Sequence, residues 1–144
     1  MRLFGSDAKV DALKKAPLFE GLSRKELEHL AQLADDLEVP AGKVLTRQGD
    51  TGREFFVLMD GEVDVVRDGE LLGTSGAGDF IGEISILEDM PRTATVTART
   101  PVRLFVLTAQ SFRSFVEEAP DVENKVLRTL ARRLAAMSDD PAVS

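Results

Sequence analysis

The spacing of apolar and polar positions changes twice along the chain and divides it into three stretches. Residues 7–16 predict a short helix that stops before Pro17. The run Ser23-Arg24-Lys25-Glu26 has the form of a capping box, in which a serine and a glutamate three residues later each bond the other's backbone N–H. Beyond it Leu27, Leu30, Ala31 and Ala34 fall on one helical face. From about residue 37 the period shortens. Pro40-Ala41-Gly42, Gly49-Asp50, Asp60-Gly61 and Asp68-Gly69 punctuate short runs of strand formers, with strands predicted at Glu54–Met59, Glu62–Val66, Glu70–Thr74, Thr93–Ala98 and Val102–Leu107 and about eight in all. Turns this close together imply an antiparallel meander.

Past Thr108, an expected N-cap, helical spacing returns with Phe112, Phe115 and Val116. Pro120 is read as a break. A last amphipathic helix then carries Val122, Val126, Leu127, Leu130, Leu134 and Met137 to about Ser138. Its stripe needs a cover, either its own domain or the same helix of a second copy through Val126, Leu130 and Leu134. The expected fold is α+β and mainly β: an eight-stranded antiparallel jelly roll or β-barrel flanked by N-terminal helices and a C-terminal helical lid. One domain of 1–144 is expected, with helices in 1–36, the β-roll in 37–107 and the C-terminal helices in 108–138.

Composition narrows the chemistry. The 144 residues carry a formal charge of −7, which disfavours general binding to nucleic acid or anionic membranes. There is no cysteine, and His29, expected as an exposed helix residue, is the only histidine, so no metal site is expected. No apolar run approaches the roughly 18 residues of a membrane span, and no signal peptide is visible, so a cytoplasmic protein without membrane attachment is expected.

The densest chemistry lies in residues 78–96. In Gly78-Asp79-Phe80-Ile81-Gly82-Glu83-Ile84-Ser85, Gly82 permits a tight turn, and a short helical turn after it would point free N–H groups at an anion. Arg92, in Pro91-Arg92-Thr93-Ala94, adds a planar cation able to grip two phosphate oxygens. Glu83 would repel a phosphate unless it accepts hydrogen bonds from ligand hydroxyls and is balanced by a further cation. Those demands describe a ribose phosphate. The glycines fit neither a dinucleotide fingerprint, whose third glycine would fall on Ile81, nor a Gly-Lys-Ser/Thr phosphate loop, and a cupin-type metal enzyme would need several histidines. No enzyme activity is expected.

This ordered set resembles the phosphate-binding cassette of cyclic nucleotide-binding domains. The resemblance runs from about Pro17-Leu18-Phe19 to the helical end and includes Gly42, Gly49 and Gly61. It implies ligand contacts at Ile81, Gly82, Glu83, Ile84, Ser85, Arg92, Thr93 and Ala94, with Glu83 on the ribose 2′-hydroxyl and Arg92 on the cyclic phosphate. The run Ala131-Arg132-Arg133-Leu134 is similar to the central helix of the catabolite activator group, which implies that Arg133 balances Glu83. Where that group carries two hydroxyl residues against the base, this chain has Met137 and Ser138. Thr93 is compatible with guanine or adenine, and the reading favours cyclic AMP over cyclic GMP. Bacterial transcription factors of the superfamily continue into a winged helix-turn-helix, whereas here only Asp139–Ser144 follow, so no direct DNA binding is expected. The implied function is a cyclic nucleotide sensor that signals to an effector protein or to its own homodimer. The alternatives are a nucleotide-free scaffold of the same fold and a regulatory fragment of a longer protein.

Overall fold

The computed structural model describes residues 6–16, 19–82 and 91–138, with the backbone alone at positions 6, 130, 133, 134 and 136–138. Among these are four helices and eight strands: α1 (Ser6–Lys15), α2 (Arg24–Leu33), β1 (Asp35–Val39), β2 (Val44–Thr46), β3 (Glu54–Asp60), β4 (Val63–Arg67), β5 (Glu70–Ser75), β6 (Phe80–Ile81), β7 (Thr95–Ala98), β8 (Val102–Thr108), α3 (Ala109–Glu118) and α4 (Pro120–Ser138). The strands form two antiparallel four-stranded sheets, ordered β1-β8-β3-β6 and β2-β7-β4-β5. The jelly-roll expectation stands. The barrel alternative does not, because among the described strands no hydrogen-bonded ladder passes from one sheet to the other.

Alternation along β3 and β8 builds two cores from one sheet. Phe55 and Val57, with Phe105 and Leu107, face the helices, where they meet Val10, Leu13, Phe19, Leu30, Phe112, Phe115 and Val122. Phe56 and Leu58, with Val102, Leu104 and Val106, face the second sheet and its Val63, Val96 and Ala98. A sheet covered on both faces needs apolar side chains at successive positions, which explains the unbroken Phe55-Phe56-Val57-Leu58 run.

The helices are tied to this platform by polar groups as well. Ser23 Oγ accepts from Glu26 N–H at 3.1 Å while Ser23 N–H donates to Glu26 Oε1 at 2.7 Å, so the capping box forms as read. Lys125 of α4 donates to the same Glu26 oxygen at 2.9 Å. The Ser23 N–H, ahead of Lys125, holds the Glu26 carboxyl below the usual carboxylate range, with burial working the other way. In α1 the buried Lys9 Nζ donates to Ala34 O at 2.9 Å and lies 3.0 Å from Asp36 Oδ1, which anchors that helix beside β1.

Several boundaries and faces differ from expectation. Pro120 opens α4 instead of breaking the chain, as suits a residue whose missing N–H would have no partner in a first turn. The inward face of α4 runs through Val122, Val126 and Thr129, all at most 2% exposed, whereas Leu127 is 51% exposed. Val126 of the expected dimer seam is therefore buried in the chain's own core, while the side chains of Leu130 and Leu134 lie outside the described residues. β7 starts at Thr95 and not at Thr93, since the Thr93 and Ala94 carbonyls accept from the Arg67 and Thr46 side chains and lie outside the ladder. His29 is half-buried, edge-on to the Phe115 ring at 5.0 Å between centroids.

Between β4 and β5 the two-residue loop Asp68-Gly69 has positive φ at both positions, 53° and 78°, the backbone of a type I′ hairpin turn. Gln48 latches this hairpin tip, donating to Asp68 Oδ1 at 2.7 Å and accepting from Asp68 N–H at 2.8 Å. No described helix is long and apolar enough to cross a membrane.

Candidate functional site

Two segments converge on the start of β3. The first is the turn before β6. Gly78 N–H donates to Leu58 O at 2.8 Å, Leu58 N–H to Asp79 O at 2.9 Å, and Asp79 Oδ2 accepts from Gly76 N–H at 2.8 Å. This turn delivers Phe80 and Ile81 into antiparallel register with Val57 and Phe56, and Ile81 packs half-buried against the inter-sheet core. Gly82 follows with φ of 77°, a left-handed conformation that strains any side-chain-bearing residue, so its glycine has a backbone reason. Glu83, Ile84 and Ser85 lie outside the described residues, within 83–90.

The second segment enters at Pro91, which pairs with Thr51 in an isolated bridge. Arg92 N–H donates to Asp50 O at 2.7 Å, and Arg92 O accepts from Gly49 N–H at 2.9 Å. The backbone of Arg92 is thus clamped to the Gly49–Gly52 turn. Its half-buried side chain reaches Glu54, where Nη2 donates to the backbone oxygen at 2.9 Å, and the guanidinium carbon sits 5.9 Å from the centre of the Phe56 ring. Burial pushes the Arg92 guanidinium below its ordinary value, and the Glu54 carboxylate opposes that shift. A cation held in this partly dry setting is available for charge-assisted bonds stronger than those made in water.

The neighbouring residues are placed unequally. Ala94 is buried, and its carbonyl accepts from Thr46 Oγ1 at 3.0 Å. Thr93 is exposed, and its carbonyl accepts from Arg67 Nε at 2.9 Å. Arg133, Met137 and Ser138 belong to α4 by backbone, but their side chains lie outside the described set, as does the pairing of Arg133 with Glu83. The structure therefore brings Ile81 and Arg92 to Phe56, with Gly82 next to Ile81 in the chain, while Ala94 is buried two residues beyond Arg92. Phe56, Glu54 and Gly52 were absent from the expected site residues. In the sequence Gly49-Asp50 reads as a turn and Glu54–Met59 as a strand, and Gly52 between them carries no separate signal. Among the described residues no group of three or more histidine, cysteine, aspartate or glutamate side chains is arranged to hold a metal.

The family profile of the cyclic nucleotide-binding domain matches residues 36–119, which include all eight strands but the first residue of β1, together with the segments that carry Gly82 and Arg92. This chain belongs to that family. The family is a ligand-binding and regulatory module. A CRP-like cAMP-activated global transcriptional regulator of Mycobacterium tuberculosis is 29% identical over 137 residues, covering 92% of this chain. The chain spans 61% of that regulator's length. A crystal structure of the N-terminal domain of a transcriptional regulator from Streptomyces coelicolor superposes with a TM-score of 0.82 at 30% identity, covering 90% of this chain and 94% of that one. The regulatory domain of Toxoplasma gondii protein kinase A, solved with cAMP, superposes at 0.70 with 29% identity, covering 79% of this chain and 45% of that one.

Proposed function

We propose that this chain is a cyclic nucleotide sensor whose ligand is cyclic AMP in preference to cyclic GMP. The observation that carries the reading is Arg92, whose backbone is clamped to the turn at Gly49 and Asp50 and whose guanidinium is held half-buried at Glu54 O and over Phe56. Its bond to Glu54 O is one to a neutral acceptor. A cyclic phosphate offers in its place two oxygens that share one negative charge, to which a guanidinium bonds more strongly than to a neutral carbonyl.

Around that clamp the remaining roles follow the family. The Gly82–Ser85 amides donate to the phosphate, Glu83 accepts from the ribose 2′-hydroxyl, Arg133 offsets the charge of Glu83, and Ile81 and Ala94 supply apolar walls. Met137 covers a purine face and Ser138 offers it a hydroxyl. Thr93, adjoining the clamp, reaches the phosphate or the base. The preference for adenine accords with the name of the mycobacterial regulator and with the Toxoplasma domain solved with cAMP.

Signalling is by population shift. Ligand contact with the C-terminal half of α4 favours a closed arrangement of that helix, and the difference in contact between the open and closed states is the coupling energy. The output is a homodimer through α4, on the side that exposes Leu127, or a separate effector protein. The test is Arg92→Ala. Affinity for cyclic AMP is expected to fall at least tenfold, about 1.4 kcal/mol, by calorimetry. An unchanged affinity would remove Arg92 from the site.

A further inference from the structure

We infer that Gly52 is a positioning residue for the phosphate arginine, required because a side chain at position 52 would occupy the space in which Arg92 lies. The inference rests on the reading of Arg92 as the ligand clamp and assigns a second residue to that clamp. Gly52 is buried, and a Cβ built on it would overlap Arg92 at Cδ, Nε and Cζ, the middle of the side chain and the centre of its guanidinium.

The reason for glycine here differs from that at the neighbouring turns. Gly49 and Gly61 have φ of 91° and 96°, and any substitution there strains the backbone. Gly52 is not among the glycines with positive φ, so alanine suits its backbone. What an added methyl meets is Arg92.

Which partner yields is decided by the connections on each side. The turn holding Gly52 is fixed by Gly49 N–H to Arg92 O at 2.9 Å, Arg92 N–H to Asp50 O at 2.7 Å and Ala109 N–H to Arg53 O at 2.8 Å. The Thr51–Pro91 bridge adds a fourth tie. Arg92 presents instead the outer part of a long, flexible side chain, whose contacts include a hydrogen bond to Glu54 O and the Phe56 ring. The loop stays and the guanidinium is evicted. Without its dock Arg92 points away from the start of β3, and the register between the cation and the Gly82 segment is lost. Gly52 thus contributes to ligand binding while touching no ligand.

A double-mutant cycle tests this. Wild type, Gly52→Ala, Arg92→Ala and the double variant are titrated calorimetrically with cyclic AMP, and each is also melted without ligand. Gly52→Ala is expected to weaken binding about tenfold in the wild-type background and by less than about twofold when Arg92 is already alanine, because residues acting through one contact are non-additive. Wild-type affinity in Gly52→Ala, or equal losses in both backgrounds, would overturn the inference. The melts read the Gly52–Arg92 contact independently of any nucleotide. A drop in melting temperature on Gly52→Ala that disappears in the Arg92→Ala background supports the eviction, and an equal drop in both contradicts it. If wild type binds no cyclic nucleotide, the functional reading of Arg92 fails while the melting cycle still decides whether Gly52 makes room for it.

Discussion

The sheet β1-β8-β3-β6 and the sheet β2-β7-β4-β5 have the same number of strands and opposite surroundings. In β3 the four residues Phe55 to Leu58 are each no more than 4% exposed, because helices cover one face and the other sheet covers the second. In β5, at the edge of the second sheet, Leu71 is 60% and Leu72 52% exposed. The first sheet is a platform set by packing, and the second is a cover set largely by its turns and ladder. The candidate site draws on both. Glu54, Phe56 and Ile81 come from the platform, while Arg92, Thr93 and Ala94 lie on the chain as it leaves for β7 of the cover. Stability and ligand recognition should therefore separate on mutation, platform residues governing the first and the Arg92 contacts the second.

The largest expected effect is on the platform. Phe55 is fully buried, edge-on to Phe19 at 5.6 Å and tilted against Phe80 at 6.1 Å, so Phe55→Ala should destabilise the fold by about 3–5 kcal/mol in urea denaturation. A loss below about 1 kcal/mol would mean that the platform is not a packed core and would break the contrast.

A smaller effect sits where the helices are pinned together. Glu26→Gln weakens the capping box and the bond to Lys125, and about 1 kcal/mol is expected. The sign of its pH dependence follows from the lowered carboxyl. The unfolded chain binds a proton at Glu26 more readily than the folded one, so the contribution is complete above the ordinary carboxylate pKa of about 4.3 and is lost as pH falls below it through the folded value. Melting temperatures of wild type and Glu26→Gln should differ near neutrality and converge as pH falls through the lowered carboxyl pKa of the folded chain. A constant difference across that range would show that the Glu26 charge contributes nothing.

The smallest effect is expected on the cover. Leu71→Ser changes an exposed side chain at a sheet edge and should shift stability by no more than about 0.5 kcal/mol. A larger loss would mean that this leucine is covered, and cross-linking of wild type against the variant would find by what.

Much of this division was legible in the sequence where local chemistry decides the outcome. Ser23 and Glu26 announce a helix start whatever surrounds them, and Asp68-Gly69 announces a hairpin because few other pairs accept two positive φ angles. Strand periods in β3 and β8 followed from their apolar runs, and Gly82 and Arg92 stood out as anion-binding chemistry in an ordered motif. What was not legible depends on partners distant in sequence. The choice of Val126 and Thr129 over Leu127 for the inward face of α4 depends on how that helix is rotated against α2 and α3, a tertiary matter. The start of β7 moved because Arg67 and Thr46, 26 and 48 residues away, take the Thr93 and Ala94 carbonyls. Gly52 carried no signal of its own in the sequence, and its role depends on the position of Arg92, far on in the chain, where Gly49 needs glycine for its positive φ.

The central claim is that the platform and the clamped arginine together hold a cyclic phosphate. The most direct measurement is calorimetric titration of the folded chain with cyclic AMP and cyclic GMP in parallel, with 5′-AMP as the open-phosphate control. Saturable binding of cyclic AMP, weaker binding of cyclic GMP and little heat with 5′-AMP is the result predicted here. A folded sample that gives no heat with any of the three would contradict the sensor reading and leave a scaffold of the same fold.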